Sequence, residues 1–321
     1  MSIGAVVIGR NEGDRLAVCL RSVIAQAAPV VYVDSGSSDG SVEHARASGA
    51  EVVCLDLSEP FTAARARNLG FARLRAIAPA VTRVQFVDGD CEIAAGWLAA
   101  SSAFLDSRTD VAVVCGRRRE RFPDRSVYNR LCDIEWDTPP GLAQACGGDA
   151  LMRADAFISA CGFRADLIAG EEPELCVRLR ELGWKIWRLD AEMTLHDAAM
   201  TRFSQWWRRS MRAGYAFAEG VHLHGAPPER HWVGEARSAR LWALGVPLAA
   251  LVAGLVAAPG AVAILALYPL QVMRLAIRDR HRHRWSWAFF LVLGKFPEAL
   301  GQLKYFRSLA TGSRPQLIEY K

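Results

Sequence analysis

The feature that most constrains the fold is an alternation of apolar strands and helical stretches over the first 115 residues. The apolar, β-branched runs that predict strands are IGAVVIG (3–9), VVYVDS (30–35), EVVCLD (51–56), VQFVDGD (84–90) and DVAVVCG (110–116). Helices are expected to begin near Asp14, Ser41, Thr62 and Ala95. This alternation predicts β-α-β units and an α/β fold with a mixed, mostly parallel sheet.

Composition narrows the class of protein. The 321 residues carry a net charge of +5, but no basic stripe interleaved with aromatic residues appears outside the C-terminal third, so we expect no nucleic-acid partner. The eight cysteines are dispersed, with no C-x-x-C pair and no Cys/His cluster at zinc spacing, which is typical of free thiols in a reducing compartment. The chain begins directly with a strand and shows no signal peptide, so the first domain is expected in the cytoplasm.

Polar loops follow three of the predicted strands: GRNEG (9–13), DSGSSDGS (34–41) and DGDCE (88–92). Ligands of open α/β sheets bind where parallel strands end, so these loops are expected to converge. In the second loop, Asp34 could accept a hydrogen bond from a ribose or a base, although plain turn chemistry would explain the same residues. The loop matches neither G-x-G-x-x-G nor a P-loop, which argues against those two phosphate-binding motifs.

Two further stretches allow a functional and a structural interpretation. The start of TAARARNLGFA (62–72) would suit a diphosphate, or it could be a solvated helix face. The carboxylates of Asp88 and Asp90 follow a buried strand and could form a metal site or an acidic surface turn.

Residues 116–197 show no linker and are assigned to the same domain, which we place at residues 1–235. Residues 236–321 are assigned to a membrane-associated helical region. Its segment LWALGVPLAALVAGLVAA (241–258) is uncharged, and AVAILALYPLQVM (261–273) follows Pro259 and Gly260. Each half approaches the ~20 residues that cross a bilayer, and arginines flank both ends, so we predict a hairpin at about 241–277 whose two ends face the cytoplasm. A buried hairpin of a soluble protein is the alternative.

A further apolar segment at about 285–306 is expected to be amphipathic or re-entrant, because Lys295, Pro297 and Glu298 interrupt it.

The order of VVIGRNEG, VDSGSSDGS, TAARARNLG, VQFVDGDCE, a Gly-Gly pair and GEEPELCVRLRELGWK resembles family 2 glycosyltransferases of the GT-A fold. The resemblance spans roughly residues 3–200. It implies a GT-A nucleotide-sugar-binding domain and a metal-dependent, inverting transfer of a sugar from a nucleotide diphosphate-sugar donor to an acceptor. It also implies Mg²⁺ or Mn²⁺ as cofactor.

The resemblance implies roles for particular residues. Metal ligation is assigned to Asp90 and Asp88, with His196 completing the shell. The catalytic base is assigned to Glu172, with Glu171 as the fallback; two glutamates favoured by the helix dipole are the structural alternative. Nucleotide-sugar binding is assigned to Arg10, Asn11, Glu12, Asp34, Arg65, Arg67, Asn68 and Asp88, and the acceptor region to Gly147, Gly148 and Trp206.

Two departures from the family pattern affect these assignments. The second loop reads Asp34-Ser35 where the family usually has two aspartates, and the helix in the second half opens with Glu171-Glu172 in place of Glu-Asp. The first departure bears on the contact to the base of the nucleotide. The second lengthens the arm of the catalytic carboxylate by one methylene.

The membrane segments suggest a lipid-linked or glycan acceptor, used in surface polysaccharide or glycolipid synthesis at the inner (cytoplasmic) membrane. One alternative is a processive polysaccharide synthase, because SQWWRRS (204–210) partly matches Q-x-x-R-W, with Arg209 in the place of the final tryptophan. The same motif has a structural interpretation, in which Trp206 and Trp207 anchor an interfacial helix. A non-catalytic nucleotide-sugar-binding membrane protein is the alternative from a different class.

Overall fold

The computed structural model describes residues 2–256, 259–279 and 283–312. It divides the chain into two compact units, Met1–Ala199 and Met200–Lys321. The first unit contains the sheet, and the second is helical.

The N-terminal half of the first unit is parallel, as the alternation predicts. It consists of β1 (Ile3–Gly9), α1 (Asp14–Ile24), β2 (Val30–Asp34), α2 (Ser41–Ala47), β3 (Glu51–Cys54), α3 (Ala63–Ile77) and β4 (Arg83–Asp88). The strands lie in the order β3-β2-β1-β4, and each neighbouring pair is parallel. The loops that follow β1, β2 and β4 therefore leave from the same edge of the sheet.

The second half adds mostly antiparallel pairings. It consists of β5 (Cys91–Ile93), α4 (Trp97–Ser107), β6 (Val111–Glu120), a 3-10 turn (Pro123–Arg125), α5 (Val127–Glu135), β7 (Gly141–Ala143), β8 (Ala150–Arg153), α6 (Ala154–Ser159), α7 (Glu171–Glu181) and β9 (Lys185–His196). Strand β8 pairs antiparallel with β4 and β6, whereas β6 and β9 are parallel. The result is the mixed α/β sheet that the sequence predicts, with the predicted strand 84–90 ending at Asp88.

The core lies between the sheet and the helices on its two faces. Helix α3 approaches the sheet closely at Gly70, where an added Cβ would lie 2.4 Å from Val6 Cγ1 and 2.9 Å from Val33 Cγ2. Any larger residue at this position would push the helix away from β1 and β2. This close approach fixes the first turn of α3 beside the loops at the sheet edge.

The second unit begins earlier than the sequence boundary at residue 235. It comprises α8 (Phe203–His224), α9 (Val233–Arg240), a π-helix (Leu241–Gly245), α10 (Val246–Val256), a 3-10 helix (Pro259–Ala266), α11 (Leu267–Arg278), α12 (Arg284–Leu293) and α13 (Lys295–Thr311). Helix α8 packs closely on α13 at two glycines. A Cβ added to Gly214 would lie 2.0 Å from the Glu298 carbonyl oxygen, and a Cβ added to Gly301 would lie 2.0 Å from the Met211 carbonyl oxygen. Helix α8 therefore belongs to the helical unit, because its packing partner lies near the C-terminus.

Among the described residues, one helix, Val233–Leu255, is long and apolar enough to cross a membrane, which by itself is weak support for a membrane protein. The predicted hairpin at 241–277 corresponds to α10, the 3-10 helix and α11, and residues 257–258 lie outside the described residues. The segment at 285–306 forms α12 and α13, and the Lys295–Glu298 ion pair (2.8 Å) lies in the first turn of α13.

Candidate active site

Asp34 lies at the end of β2 with its carboxylate held by the following loop. Its Oδ2 accepts hydrogen bonds from the backbone N–H groups of Gly36 (2.9 Å) and Ser37 (2.8 Å), and Tyr32 donates to Oδ1 at 3.0 Å. The side chain is buried. This geometry orients Asp34 at the sheet edge, where the sequence places nucleotide recognition.

The first two loops are tied together. Asn11, in the left-handed region at φ 56°, donates its backbone N–H to Ser37 Oγ (2.9 Å) and accepts at Oδ1 from the Ser38 N–H (2.8 Å). Arg10 lies over the Phe61 ring, and Glu12 pairs with Arg15 at 2.8 Å. Asn11 therefore ties the loop after β1 to the loop after β2.

Arg67 joins the metal-site loop to the helix that carries the predicted base. Its guanidinium is buried and donates to Asp88 Oδ1 and to Glu171 Oε1, both at 2.7 Å. Gly148 leaves the space for this pairing, since a built Cβ there would lie 2.7 Å from Arg67 Nη2 and 2.9 Å from Asp88 Oδ2. The predicted residues Arg67, Asp88, Glu171 and Gly148 thus meet in one place.

Two charged residues that sequence reasoning missed complete this cluster. Arg118 of β6 donates to Asp88 Oδ2 (3.1 Å) and to Asp149 Oδ2 (2.7 Å). Asp149, which has no exposed surface, also accepts from the Asp88 backbone N–H and from Thr194 Oγ1, each at 3.0 Å. The signal for Asp149 was its position directly after the Gly147-Gly148 pair, but nothing in the sequence connects it with Arg118.

The two guanidiniums determine the charge of Asp88. Burial alone would raise the pKa of Asp88, but the Arg67 and Arg118 guanidiniums outweigh burial and lower that pKa below its ordinary value. A carboxylate with a lowered folded-state pKa stabilises the fold above its unfolded pKa of about 4. That contribution is lost as the pH falls through the folded-state pKa.

Asp90 and His196 form the part of the site that fits a divalent cation. Asp90 Oδ2 lies 3.2 Å from His196 Nε2, and Glu120 Oε2 lies 3.9 Å from the other ring nitrogen, Nδ1. Cys91 lies beside them, but burial raises the pKa of its thiol well above the ordinary value. The carboxylate of Asp90 and the imidazole of His196 form a donor set that suits Mn²⁺ better than Mg²⁺.

Glu172 is presented differently from Glu171. Its Oε1 accepts from the Cys146 backbone N–H (2.6 Å), from Cys146 Sγ (3.0 Å) and from Cys176 Sγ (3.1 Å). Within the described residues, Oε2 accepts no hydrogen bond, although the side chain as a whole is buried. One oxygen is therefore fixed while the other is available for a reacting group.

Three of the predicted residues have other partners. Arg65 donates to the carbonyls of Asp56, Glu59 and Pro60, so it braces the preceding loop. Asn68 makes two hydrogen bonds to the backbone of Phe163: its Nδ2 donates to the carbonyl (2.7 Å), and its Oδ1 accepts from the N–H (2.9 Å). Trp206 belongs to the second unit, where it packs on Phe290. A role in substrate binding for these residues stays a prediction.

A protein-family model, Glycosyl transferase family 2, matches residues 5–157. The chain contains a family 2 glycosyltransferase domain. The matched region holds the sheet edge described above, from Asp34 to Asp149. The family that the sequence motifs predicted is confirmed, and the protein is a nucleotide-sugar glycosyltransferase.

Solved structures give the same fold. A mannosyltransferase from Pyrobaculum calidifontis, in complex with GDP-Man and Mn²⁺, covers 94% of this chain and 86% of its own, at 18% identity and a TM-score of 0.64. TarS (residues 1–349) from S. aureus covers 97% of this chain and 92% of its own, at 14% identity and a TM-score of 0.53. A comparison of the sequence with curated proteins found no match. The structural likeness confirms the GT-A fold of this glycosyltransferase.

Substitution of Asp149 by asparagine tests the charge cluster. Asp149→Asn removes the charge that compensates buried Arg118 and turns an amide toward donors, so we expect about 3 kcal/mol of destabilisation and weaker donor binding. Chemical denaturation and titration with nucleoside diphosphates measure the two effects. The matched control is Asp166→Asn, which breaks an exposed aspartate–arginine pair (2.6 Å) and should cost less than about 1 kcal/mol. Equal effects at both positions would contradict the role given to the cluster.

Proposed function

We propose that this glycosyltransferase performs a metal-dependent, inverting transfer in which Glu172 is the general base. The proposal rests on the different hydrogen bonding of the two oxygens of Glu172. Three donors hold Oε1, whereas Oε2 accepts no hydrogen bond from the described residues. An inverting transfer needs a carboxylate that takes the proton of the acceptor hydroxyl while that oxygen attacks the anomeric carbon.

Glu171 is a poorer candidate for the base. Its carboxylate is paired with Arg67 at 2.7 Å, and that guanidinium is almost fully buried. If Glu171 took a proton, the buried Arg67 would lose one of its two carboxylate partners and keep only Asp88, which Arg118 also binds. Glu171 instead connects the helix of the base to Asp88 through Arg67.

We assign the cation to Asp90 and His196, with Mn²⁺ as the ion that best fits a carboxylate and an imidazole. A bound divalent ion neutralises the charge that develops on the leaving nucleoside diphosphate. The mannosyltransferase from Pyrobaculum calidifontis was solved with Mn²⁺ and GDP-Man, which supports this cofactor. Asp34 and the residues Arg10, Asn11 and Glu12 of the loop after β1 are assigned to the nucleoside of the donor.

We propose a single transfer of one sugar and not processive synthesis. The glutamine of the partial Q-x-x-R-W match, Gln205, accepts from the backbone N–H groups of Thr201 (2.9 Å) and Arg202 (3.0 Å). These bonds cap the start of α8, so local helix capping accounts for this glutamine.

Replacement of Glu172 by glutamine tests the base. Glu172→Gln keeps the size and Oε1 of the side chain but cannot accept the proton, so the transfer rate should fall by about 10²–10⁴ while donor binding is retained. Transfer is measured with a panel of nucleotide sugars and acceptors, and donor binding by calorimetry. The control is Glu171→Gln. If Glu171→Gln abolished transfer and Glu172→Gln did not, the base would have to be reassigned to Glu171.

Removal of the proposed metal ligand tests the cofactor. Asp90→Ala should abolish the Mn²⁺-dependent gain in affinity for a nucleoside diphosphate, because the carboxylate ligand is lost. Calorimetric titration with and without Mn²⁺ measures this gain directly. Asp39→Asn, at an aspartate that binds the Gly13 N–H at 2.9 Å on the neighbouring loop, is the control and should keep the gain. Metal-independent binding of the donor by the unaltered protein would contradict the assignment.

We further propose that the second unit binds a lipid bilayer and that the acceptor is lipid-linked. On α10, the exposed side chains Leu248, Leu251, Val252 and Leu255 recur at helical spacing and form one apolar stripe. Arg274 and Arg278 lie at the end of α11, where they suit anionic lipid headgroups. A bilayer is the partner that matches an exposed apolar stripe with basic residues beyond it.

The charge pattern supports a hairpin in the membrane. From Leu241 to Met273 the chain carries no charge, and Pro259 and Gly260 interrupt this run. Arg240 and Arg274 lie directly beyond its two ends, and the positive-inside rule places such ends on the cytoplasmic side. We therefore propose that both ends of the hairpin lie on the cytoplasmic face of the inner membrane.

Vesicle binding tests the membrane proposal. The full-length protein should co-sediment with vesicles that contain anionic lipid, and the triple substitution Leu248→Glu, Leu251→Glu, Leu255→Glu should release it, since each leucine contributes about 1.5–3 kcal/mol. The control replaces three exposed leucines of the first unit, Leu57, Leu142 and Leu182, by glutamate. Binding that survives in the first variant but not in the control would refute the assignment to α10.

A further inference from the structure

A second group of metal-ligating atoms lies around Glu172, apart from Asp90 and His196. Cys146 Sγ and Cys176 Sγ are 3.0 and 3.1 Å from Glu172 Oε1, and the two sulfurs are 3.8 Å apart. All three side chains are buried. Glu172 and Cys176 lie one turn apart on α7, and Cys146 precedes the Gly147-Gly148 pair, so the cluster depends on the tertiary fold.

The spacing of these atoms fits a tetrahedral thiophilic cation. Two zinc–sulfur bonds of about 2.3 Å at a tetrahedral angle place the sulfurs about 3.8 Å apart, and a carboxylate oxygen at about 2.0 Å is a common third ligand. The observed sulfur–sulfur distance of 3.8 Å already has this value. A cation can therefore bind both sulfurs where they lie. The carboxylate oxygen, now 3.0 and 3.1 Å from the sulfurs, would move by about 0.5 Å to reach the ~3.5 Å that the same bond lengths give in a tetrahedral site.

We propose that Cys146, Glu172 and Cys176 form a binding site for a thiophilic divalent cation of the zinc class, and that occupation of this site inhibits the glycosyltransferase. The inhibition rests on the proposed role of Glu172 as the base, whereas the binding does not. A cation on the carboxylate would withhold it from the acceptor hydroxyl. The open position of a three-ligand site would be filled by water.

Ligand softness separates this site from the one at Asp90. Thiolates select zinc-like cations, whereas a carboxylate with an imidazole suits Mn²⁺. Burial raises the pKa of Cys146 well above its ordinary value, so this thiol is protonated when no cation is bound. Binding then releases two protons to solvent, one from each thiol, as the two sulfur–metal bonds form.

Cadmium absorbance tests the binding. Cd²⁺ is added to the full-length protein in saturating Mn²⁺, and the sulfur-to-metal charge-transfer band in the ultraviolet is recorded. We expect one equivalent to bind, and Cys146→Ser and Cys176→Ser each to weaken binding by roughly a hundredfold or more, since loss of even an outer partner costs 10–100-fold. The controls Cys54→Ser and Cys161→Ser alter exposed thiols and should keep the band. Absence of the band in the unaltered protein would overturn the proposal without reference to any variant.

Zinc inhibition tests the consequence for transfer. Transfer is measured with increasing Zn²⁺ at fixed Mn²⁺, and each rate is compared with the zinc-free rate of the same variant. We expect inhibition that added Mn²⁺ does not reverse, and its loss in Cys146→Ser and Cys176→Ser. Inhibition that Mn²⁺ reverses fully would place zinc at Asp90 and overturn the proposed inhibition. If cadmium binds as expected but Glu172→Gln retains transfer, the proposed base fails while the cation site stands.

Discussion

The carboxylate of Asp88 is held between two guanidiniums, and the geometry of the site depends on this interaction. Arg67 binds one oxygen and Arg118 the other. Arg67 in turn binds Glu171, and Arg118 binds Asp149. Buried charges of this kind are tolerated only when every member has its partner. The network therefore fixes the relative positions of β4, α3, β6 and α7, which supply its members.

The proposed metal ligand and the proposed base extend from the two ends of this network. Asp90 follows Asp88 after a single glycine, and Glu172 follows Glu171 directly. The cluster contains three carboxylates (Asp88, Asp149 and Glu171) and two guanidiniums, so its formal charge is negative before Asp90 is added. An anionic diphosphate would be repelled by that excess, and a divalent cation bound at Asp90 would cancel it. The electrostatics of the resident side chains thus support the proposed dependence on a metal.

Periodicity predicted the strands well, because β1, β2 and β4 are buried on both faces and read as apolar runs. The order of strands and helices predicted that the polar loops after β1, β2 and β4 leave from the same edge of the sheet. The pattern could not decide which side chains of α3 face the site: Arg65, Arg67 and Asn68 are close in sequence but point in different directions around a helix. Arg118 and Asp149 were missed because their contact joins distant segments. The apolar stretch after residue 240 predicted membrane segments, and no pattern in it predicted that α13 packs on α8.

The departure from the family's Glu-Asp pair can be understood from the contacts of Glu172. The longer side chain reaches the Cys146 backbone N–H at 2.6 Å and two thiols at 3.0 and 3.1 Å, all through one oxygen. An aspartate at this position would be one methylene short of those donors. Two of the dispersed cysteines, Cys146 and Cys176, therefore complete the hydrogen bonding of a buried carboxylate. The same donors that orient the base bring two sulfurs and an oxygen together, so the preorganisation of the base and its exposure to a thiophilic cation share one physical cause.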